Sequence, residues 1–342
     1  VVKIYSAMET EGRALPEGLD RDTVVAMYRA MVLLRAFDER AVALQRQGRI
    51  GTYPPFWGEE ATQVGAFFAC RDGDWIFPSY RQGALGILRG LPPSTVFKYR
   101  CGYGGEHGFW SARRYRVAPI CIPIGSHLPH AVGLAWAAKI AGDEVASLVF
   151  FGDGATSEGD FHEALNIAAV QRVPTVFFCV NNQWAISTPF SRQTATATIA
   201  EKAGAYGVPG VRVDGFDVLA CFEETHRALE RARSGRGPTL IEALTYRIGP
   251  HATADDPSRY RDPAEAEPWR EREPVGRAES WLRRRGLLEE HEVEDARRAA
   301  RSTIDAAVAE LDAAEAPGAE VLFDYVYASG RPWTLEPHGS RP

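Results

Sequence analysis

Residues 145–182 read VASLVFFGDGATSEGDFHEALNIAAVQRVPTVFFCVNN. The run 145–151 is apolar without alternation, as in a strand covered on both faces. Gly152-Asp153-Gly154 closes it. Residues 160–171 then place Phe161, Leu165 and Ala168 on one helical face. Residues 175–180 form a second buried strand, closed by Asn181-Asn182. Strand, helix and strand in this order make a right-handed unit with parallel strands.

The same alternation continues outward. A third strand is predicted at 211–213, followed by a helix from 217 to about 233, and a fourth strand at 239–244. Upstream, 23–47 is apolar at helical spacing (Val24, Met27, Met31, Leu34) and stops before Gly48. A loop with Pro54 and Pro55 spans 51–58, and a second helix covers 59–70. A short strand at 75–77 leads into Pro78-Ser79-Tyr80-Arg81, and 129–141 is a small-residue helix. The fold class is therefore α/β, a parallel sheet with helices on both faces. After residue 264 the strands stop. Segments 281–285 and 293–311 read as charged amphipathic helices, the latter with Val293, Ala300, Ile304, Ala307 and Leu311 as its apolar stripe. This divides the chain into a polar, poorly ordered arm (1–19), an α/β domain (20–264) and a helical C-terminal extension (265–342) with an irregular tail from 322. Residues 102–108 are glycine-rich and predicted to be mobile.

The chain has 342 residues, enough for one large α/β domain with an appendage. Apolar residues at 45% and charged residues at 25% are the balance of a globular protein. A net charge of −6 argues against nucleic acid as the main partner. No apolar run approaches the roughly 20 residues of a membrane helix, and residues 1–13 carry no signal-peptide core. Cys70, Cys101, Cys121, Cys179 and Cys221 are scattered, with no C-x-x-C pair. A disulfide framework or structural zinc site is not expected, and a cytoplasmic location is.

In open parallel sheets, ligands bind at the carboxyl ends of the strands. Twenty-six residues separate Gly154 from Asn181, one helix plus its turns. Asp153 and an Asn amide oxygen thus reach the same rim. Both are hard oxygen donors of the kind Mg²⁺ takes together with phosphate oxygens. The glycines let backbone approach phosphate, and a helix N-terminus after Gly154 favours anions. Singly, each motif is also an ordinary turn. Closing two neighbouring strands of one unit, they point to a metal–diphosphate site.

That pattern resembles the diphosphate motif of thiamine-diphosphate enzymes. The segments FGDGATSEGD (151–160), NNQWAIST (181–188), TYRIGPH (245–251) and DDPSRY (255–260) are similar to the α subunit of 2-oxo acid dehydrogenases, along a likeness running from about Leu19 to Tyr327. The resemblance implies the diphosphate half of a thiamine-diphosphate-binding fold. It implies Mg²⁺ held by the Asp153 carboxylate, an Asn182 side-chain oxygen and the Trp184 backbone carbonyl. Gly154 and Ala155 would offer backbone N–H groups to the diphosphate, and Tyr80, Arg81 and Arg247 would reach it, a guanidinium being suited to phosphate. Ile124 would be an apolar wedge under the bent cofactor, with Ile122 a neighbour of the cofactor; Ile124 also suits plain core. His251 is the candidate catalytic residue and a cofactor contact, because a His titrates near neutrality and can serve a reacting carbonyl.

His127 lies in PIGSH (123–127), like the loop that braces the cofactor; His130 reads as structural. Asp255 and Asp256 would order the His251 loop. His162, His226, His291 and His338 carry no motif. Two departures stand out. The family's longer G-R-Q-M-P-type segment before a His is here the shorter Gly102–His107, and Ala252 occupies the place of a Ser that is phosphorylated in animal mitochondrial relatives, so that charge switch has no acceptor here.

Only one strand-end diphosphate motif is present. The resemblance therefore implies a β subunit that supplies a glutamate to the cofactor, an α2β2 heterotetramer, and a lipoyl-bearing dihydrolipoyl acyltransferase as acyl acceptor. The implied reaction is oxidative decarboxylation of a 2-oxo acid with reductive acylation of the lipoyl group. The segment from His251 to Asp255-Asp256 resembles that of branched-chain members, and the resemblance implies branched-chain 2-oxo acids, with pyruvate and acetoin dehydrogenases as alternatives. From a different class, a catalytically silent phosphate-binding or regulatory protein stays open. Loss of Asp153 or His251 would mark it, and both are present.

Overall fold

The computed structural model describes residues 3–9, 14–103 and 110–318. Most of the glycine-rich loop, with His107, and the tail from 322, with His338, lie outside the described residues.

The strands are β1 (Ile4–Tyr5), β2 (Trp75–Phe77), β3 (Ser147–Gly152), β4 (Thr175–Asn181), β5 (Trp184–Ala185), β6 (Thr188–Pro189), β7 (Gly210–Asp214) and β8 (Thr239–Leu244). Six of them form one sheet in the order β1-β7-β8-β4-β3-β2, and every pair in it is parallel. β5 and β6 form a separate antiparallel hairpin. The longer helices are α1 (Arg21–Arg46), α2 (Glu60–Phe68), α3 (Pro93–Arg100), α4 (His127–Ala141), α5 (Gly159–Gln171), α6 (Val218–Arg231), α7 (Pro274–Arg284) and α8 (Glu290–Asp312).

Side chains alternate across a strand, so an unbroken apolar run feeds two cores at once. Leu148 and Phe150 of β3, with Val176, Phe178 and Val180 of β4, join the core under α1, α2, α6 and α8. Val149 and Phe151, with Phe177 and Cys179, join the core under α4 and α5. The central strands are thus covered on both faces.

Several boundaries differ from the sequence reading for local reasons. β3 starts at Ser147, since the Ala146 N–H is taken by the Asp74 carboxylate at 3.0 Å. α1 starts earlier because Asp20 caps it, accepting from Thr23 N. α7 starts well before residue 281: Glu273 accepts from Val275 N and Gly276 N, and Pro274 takes the first turn. The arm is partly docked. Ile4–Tyr5 pairs with β7, and Asp217 accepts from Ser6 Oγ (2.8 Å) and Met8 N (2.7 Å). The stripe of α8 is buried as expected, and it enters the same core as α1.

Two features set up the site. β3 and β4 pair from Ser147↔Thr175 to Gly152↔Val180, so their carboxyl ends are level. α2 lies tight against α6, where a Cβ on Gly65 would stand 2.5 Å from the Val218 carbonyl oxygen. That close approach carries Glu59, just ahead of α2, to the sheet rim.

Candidate functional site

A cavity of about 590 Å³ opens at the carboxyl ends of β3 and β4. Tyr80, Arg81, Ile122, Ile124, Asp153, Gly154, Ala155, Asn182, Trp184 and His251 all line it. Arg247 stands behind it.

Asp153 directly follows β3 and is 2% exposed. Its Oδ2 accepts from Gln193 Nε2 at 2.6 Å. Among the described residues it has no cationic partner at ion-pair distance, and burial raises its pKa. Successive residues of a strand face opposite ways, so the two asparagines part company. Asn181 Nδ2 donates to the buried Glu242 at 2.7 Å. Asn182 lines the cavity, donating from Nδ2 to Glu59 Oε1 at 2.8 Å and accepting on Oδ1 from Trp184 N at 3.4 Å.

After Asn182 the chain reverses through Gln183 (φ 73°) into the β5–β6 hairpin, whose turn holds Ile186 at φ 54°. Such conformations cost about 1–3 kcal/mol each and persist where surroundings impose them. Part of the compensation is visible, as Gln183 Nε2 donates to Asn181 Oδ1 at 2.8 Å. The reversal turns the Trp184 carbonyl toward Arg247, whose Nη1 donates to it at 3.3 Å.

Arg247 is buried, and burial draws its pKa down to about 10. Its Nη2 donates to the Ile186 carbonyl (2.7 Å) and Tyr260 Oη (2.8 Å), while Nε has no hydrogen-bond partner among the described residues. Arg81 is 5% exposed. Its Nη1 donates to the Pro55 carbonyl, and its Nη2 lies 3.2 Å from the His251 carbonyl oxygen and 3.3 Å from His251 Nδ1. His251 N donates to Asp255 Oδ2 at 2.8 Å, and Tyr260 Oη donates to the same oxygen at 2.5 Å. Asp255 therefore orders the loop. Asp256 instead caps the short turn at Pro257–Arg259. Burial first, then the charges of Arg81 and Arg247, lower the His251 pKa to about 4.

Ile122 and Ile124 are 55% and 40% exposed, so neither is core. His127 is buried, its Nε2 donating to the Phe150 carbonyl at 2.6 Å. His130 Nδ1 lies 2.9 Å from the Ser126 carbonyl oxygen at the start of α4, in keeping with a structural part. The helix N-terminus is farther off than the sequence implied. A 3₁₀ turn, Asp153–Ser157, intervenes before α5, so any backbone anion contacts come from that turn.

Of the glycines that line the cavity, Gly154 is the most tightly packed. A Cβ there would lie 2.8 Å from Ala185 Cβ. Gly154→Ala is expected to weaken cofactor binding by displacing the hairpin, and Gly154→Ala/Ala185→Gly to recover it, as measured by calorimetry. Equal affinities for the single variant and the parent would refute this steric assignment.

The oxygen donors suit Mg²⁺: one carboxylate, one amide and one backbone carbonyl, leaving room for phosphate oxygens. Among the described residues no group of three or more His, Cys, Asp or Glu could hold a metal by itself. Glu59, Gln82 and Gln193, which no sequence motif marks, hold these groups from outside the strand ends.

Fold and cavity together are those of an α/β protein with a cavity at the carboxyl rim of a parallel sheet, where such sheets bind ligands. The chain belongs to the dehydrogenase E1 component family, whose family model matches residues 28–320. It is the α subunit of a 2-oxo acid dehydrogenase, an oxidoreductase, and the family implies thiamine diphosphate as cofactor. It is 49% identical over 279 residues to the 3-methyl-2-oxobutanoate dehydrogenase subunit alpha of Mycobacterium tuberculosis, covering 81% of this chain and 75% of that one. It is 40% identical over 314 residues to the pyruvate dehydrogenase E1 component subunit alpha of Staphylococcus aureus, covering 92% and 84%. No helix among the described residues is long and apolar enough to cross a membrane.

Proposed function

We propose that this chain holds thiamine diphosphate through Mg²⁺ and, with a β subunit, oxidatively decarboxylates branched-chain 2-oxo acids. The observation that carries the reading is the convergence of Asp153, Asn182, Arg81 and His251 on one cavity, with Arg247 behind them. Asp153, Asn182 and the Trp184 carbonyl would hold Mg²⁺. Gly154 and Ala155 would hold the diphosphate by backbone N–H groups, with Arg81, Arg247 and Tyr80 beside it. Ile124 and Ile122 would brace the cofactor. When bound, thiamine diphosphate supplies a nucleophilic carbon that takes up the 2-oxo acid and lets CO₂ leave. The chain would orient that group and present His251 to the reacting carbonyl.

The β subunit is part of the proposal because Ile122, Ile124 and Ile186 are exposed beside the cavity, and apolar groups at a site's mouth suit a covering partner. An α2β2 heterotetramer follows, passing its acyl group to the lipoyl group of a dihydrolipoyl acyltransferase. Five free cysteines suit a reducing cytoplasm.

The relative at 49% identity carries a branched-chain substrate in its name, and the one at 40% carries pyruvate. The α–β enzyme with Mg²⁺ and thiamine diphosphate is expected to show higher kcat/KM for 3-methyl-2-oxobutanoate than for pyruvate or acetoin. A preference for either of the others would replace the substrate assignment. Cofactor binding without turnover of any of them would favour a silent phosphate-binding protein.

A further inference from the structure

We propose that Glu59 is the positioning residue that sets both the proposed magnesium ligand Asn182 and the orientation of Arg81. The assignment rests on the cofactor reading above and adds a residue to it. Glu59 stands at the N-cap of α2, yet its side chain makes no capping hydrogen bond. The carboxylate instead reaches into the base of the cavity, 1% exposed. Burying a carboxylate is costly unless its partners are well placed. Its partners come from two other elements. Oε1 accepts from Asn182 Nδ2 at 2.8 Å, and Oε2 accepts from Gln82 Nε2 at 3.2 Å. Arg81 Nε lies 3.7 Å from Oε1.

Each contact has a directional consequence. An asparagine can present either end of its amide to a neighbour, and here Glu59 Oε1 accepts from its NH₂ end. Glu59 therefore draws the NH₂ end of Asn182 to itself and leaves Oδ1, the end a cation needs, on the other side. The weak contact from Trp184 N to Oδ1 agrees with that orientation. On the second side, the carboxyl group of Glu59 flanks Arg81 at Nε. The two terminal nitrogens are thereby directed at the Pro55 carbonyl and at His251. One carboxylate thus joins the end of β4, the loop after β2 and the start of α2. Glu60, the next residue, faces elsewhere and pairs with Arg35 at 2.6 Å. The two adjacent acids are not interchangeable.

A purely structural role would change folding stability and nothing else. A positioning role changes how much Mg²⁺ the cofactor needs. The test uses the assembled α–β enzyme. The readout is the Mg²⁺ concentration giving half-maximal binding of thiamine diphosphate, followed by calorimetry at fixed cofactor, beside the Tm of the cofactor-free enzyme. Partners that orient a metal ligand are typically worth about 10–100-fold in metal affinity. Glu59→Ala is expected to raise the half-saturating Mg²⁺ by about that factor. Glu59→Gln keeps an acceptor oxygen for Asn182 Nδ2 and is expected to recover most of the loss. If Glu59→Ala does not assemble, Glu59→Asp serves: it keeps the charge but withdraws the carboxylate by one methylene, and should also need more Mg²⁺. A lowered Tm with an unchanged Mg²⁺ requirement in these variants would overturn the assignment. Parent enzyme that binds the cofactor equally well without Mg²⁺ would overturn the site reading itself, and this assignment with it.

Discussion

Asp153→Asn in the assembled enzyme is expected to weaken Mg²⁺-supported binding of thiamine diphosphate by more than about 100-fold, beyond the loss typical of a partner that merely orients a ligand. The reason is the donor set. Asp153 is the one carboxylate among the three proposed ligands, so the substitution removes the only formal charge that the chain offers the ion. The amide is isosteric and keeps an oxygen for Gln193 Nε2, so the local packing survives. The stability consequence has the opposite sign. Burial raises the Asp153 pKa in the folded chain, so the folded state binds that proton more tightly than the unfolded state. Stability then falls as pH rises from the unfolded value of 3.8 through the raised folded value. The amide carries no such penalty. Without cofactor, Asp153→Asn should be at least as stable as the parent at pH 8. With saturating Mg²⁺ and cofactor the order should reverse, because a ligand at 100 times its Kd stabilises the parent by about 2.7 kcal/mol. Paired thermal melts give both answers. A variant less stable than the parent without ligand, yet equally stabilised with it, would place Asp153 in the fold and not in the site.

The parts of this site that were legible in the sequence are those that close buried strands. Asp153 and Asn182 could be found because the apolar runs before them fix where the sheet ends. Alternation also explains why one asparagine of the pair turns to Glu242. Glu59 gave no such signal, since Glu59-Glu60 looks like the acidic first turn of any helix. Its role depends on how closely α2 and α6 approach, which Gly65 permits and no local pattern announces. Gln193 reaches Asp153 from beyond the β5–β6 hairpin, and that turn uses Gln183 and Ile186 at positive φ, where the sequence shows no glycine. The docked arm was missed because β1 is two residues long and depends on Asp217, more than two hundred positions away. The start of α7 was readable from Glu273-Pro274, a capping acid before a first-turn proline.

His251→Ala is expected to lower kcat by about 10²–10⁴-fold, the usual worth of a positioned acid or base, while leaving cofactor affinity nearly unchanged. The loop does not depend on the imidazole. Its backbone N–H is held by Asp255 at 2.8 Å and its carbonyl by Arg81 at 3.2 Å, and both bonds survive the substitution. The ring's state follows from its neighbours. A guanidinium only donates, so Arg81 Nη2, 3.3 Å from Nδ1, makes Nδ1 the acceptor and leaves the proton on Nε2. At a pKa of about 4 the free chain holds this neutral form at pH 7. Nε2–H can then donate to a developing oxyanion without bringing a full charge. Burial is the larger cause of the depression, and an anionic diphosphate beside Arg81 and Arg247 would offset the lesser one, the two cations. The acidic limb of the kcat profile in the loaded enzyme should therefore lie above 4 and toward the ordinary 6.5, and it should vanish in His251→Ala. The same depression predicts a stability signature. With a folded pKa below the unfolded one, the neutral ring contributes stability above pH 6.5 that is lost as pH falls toward 4. Partial exposure reduces its size, but the parent should lose more stability than His251→Ala across that window. A variant that keeps both the parent kcat and the parent acidic limb would remove His251 from the chemistry and leave it a loop residue beside Arg81.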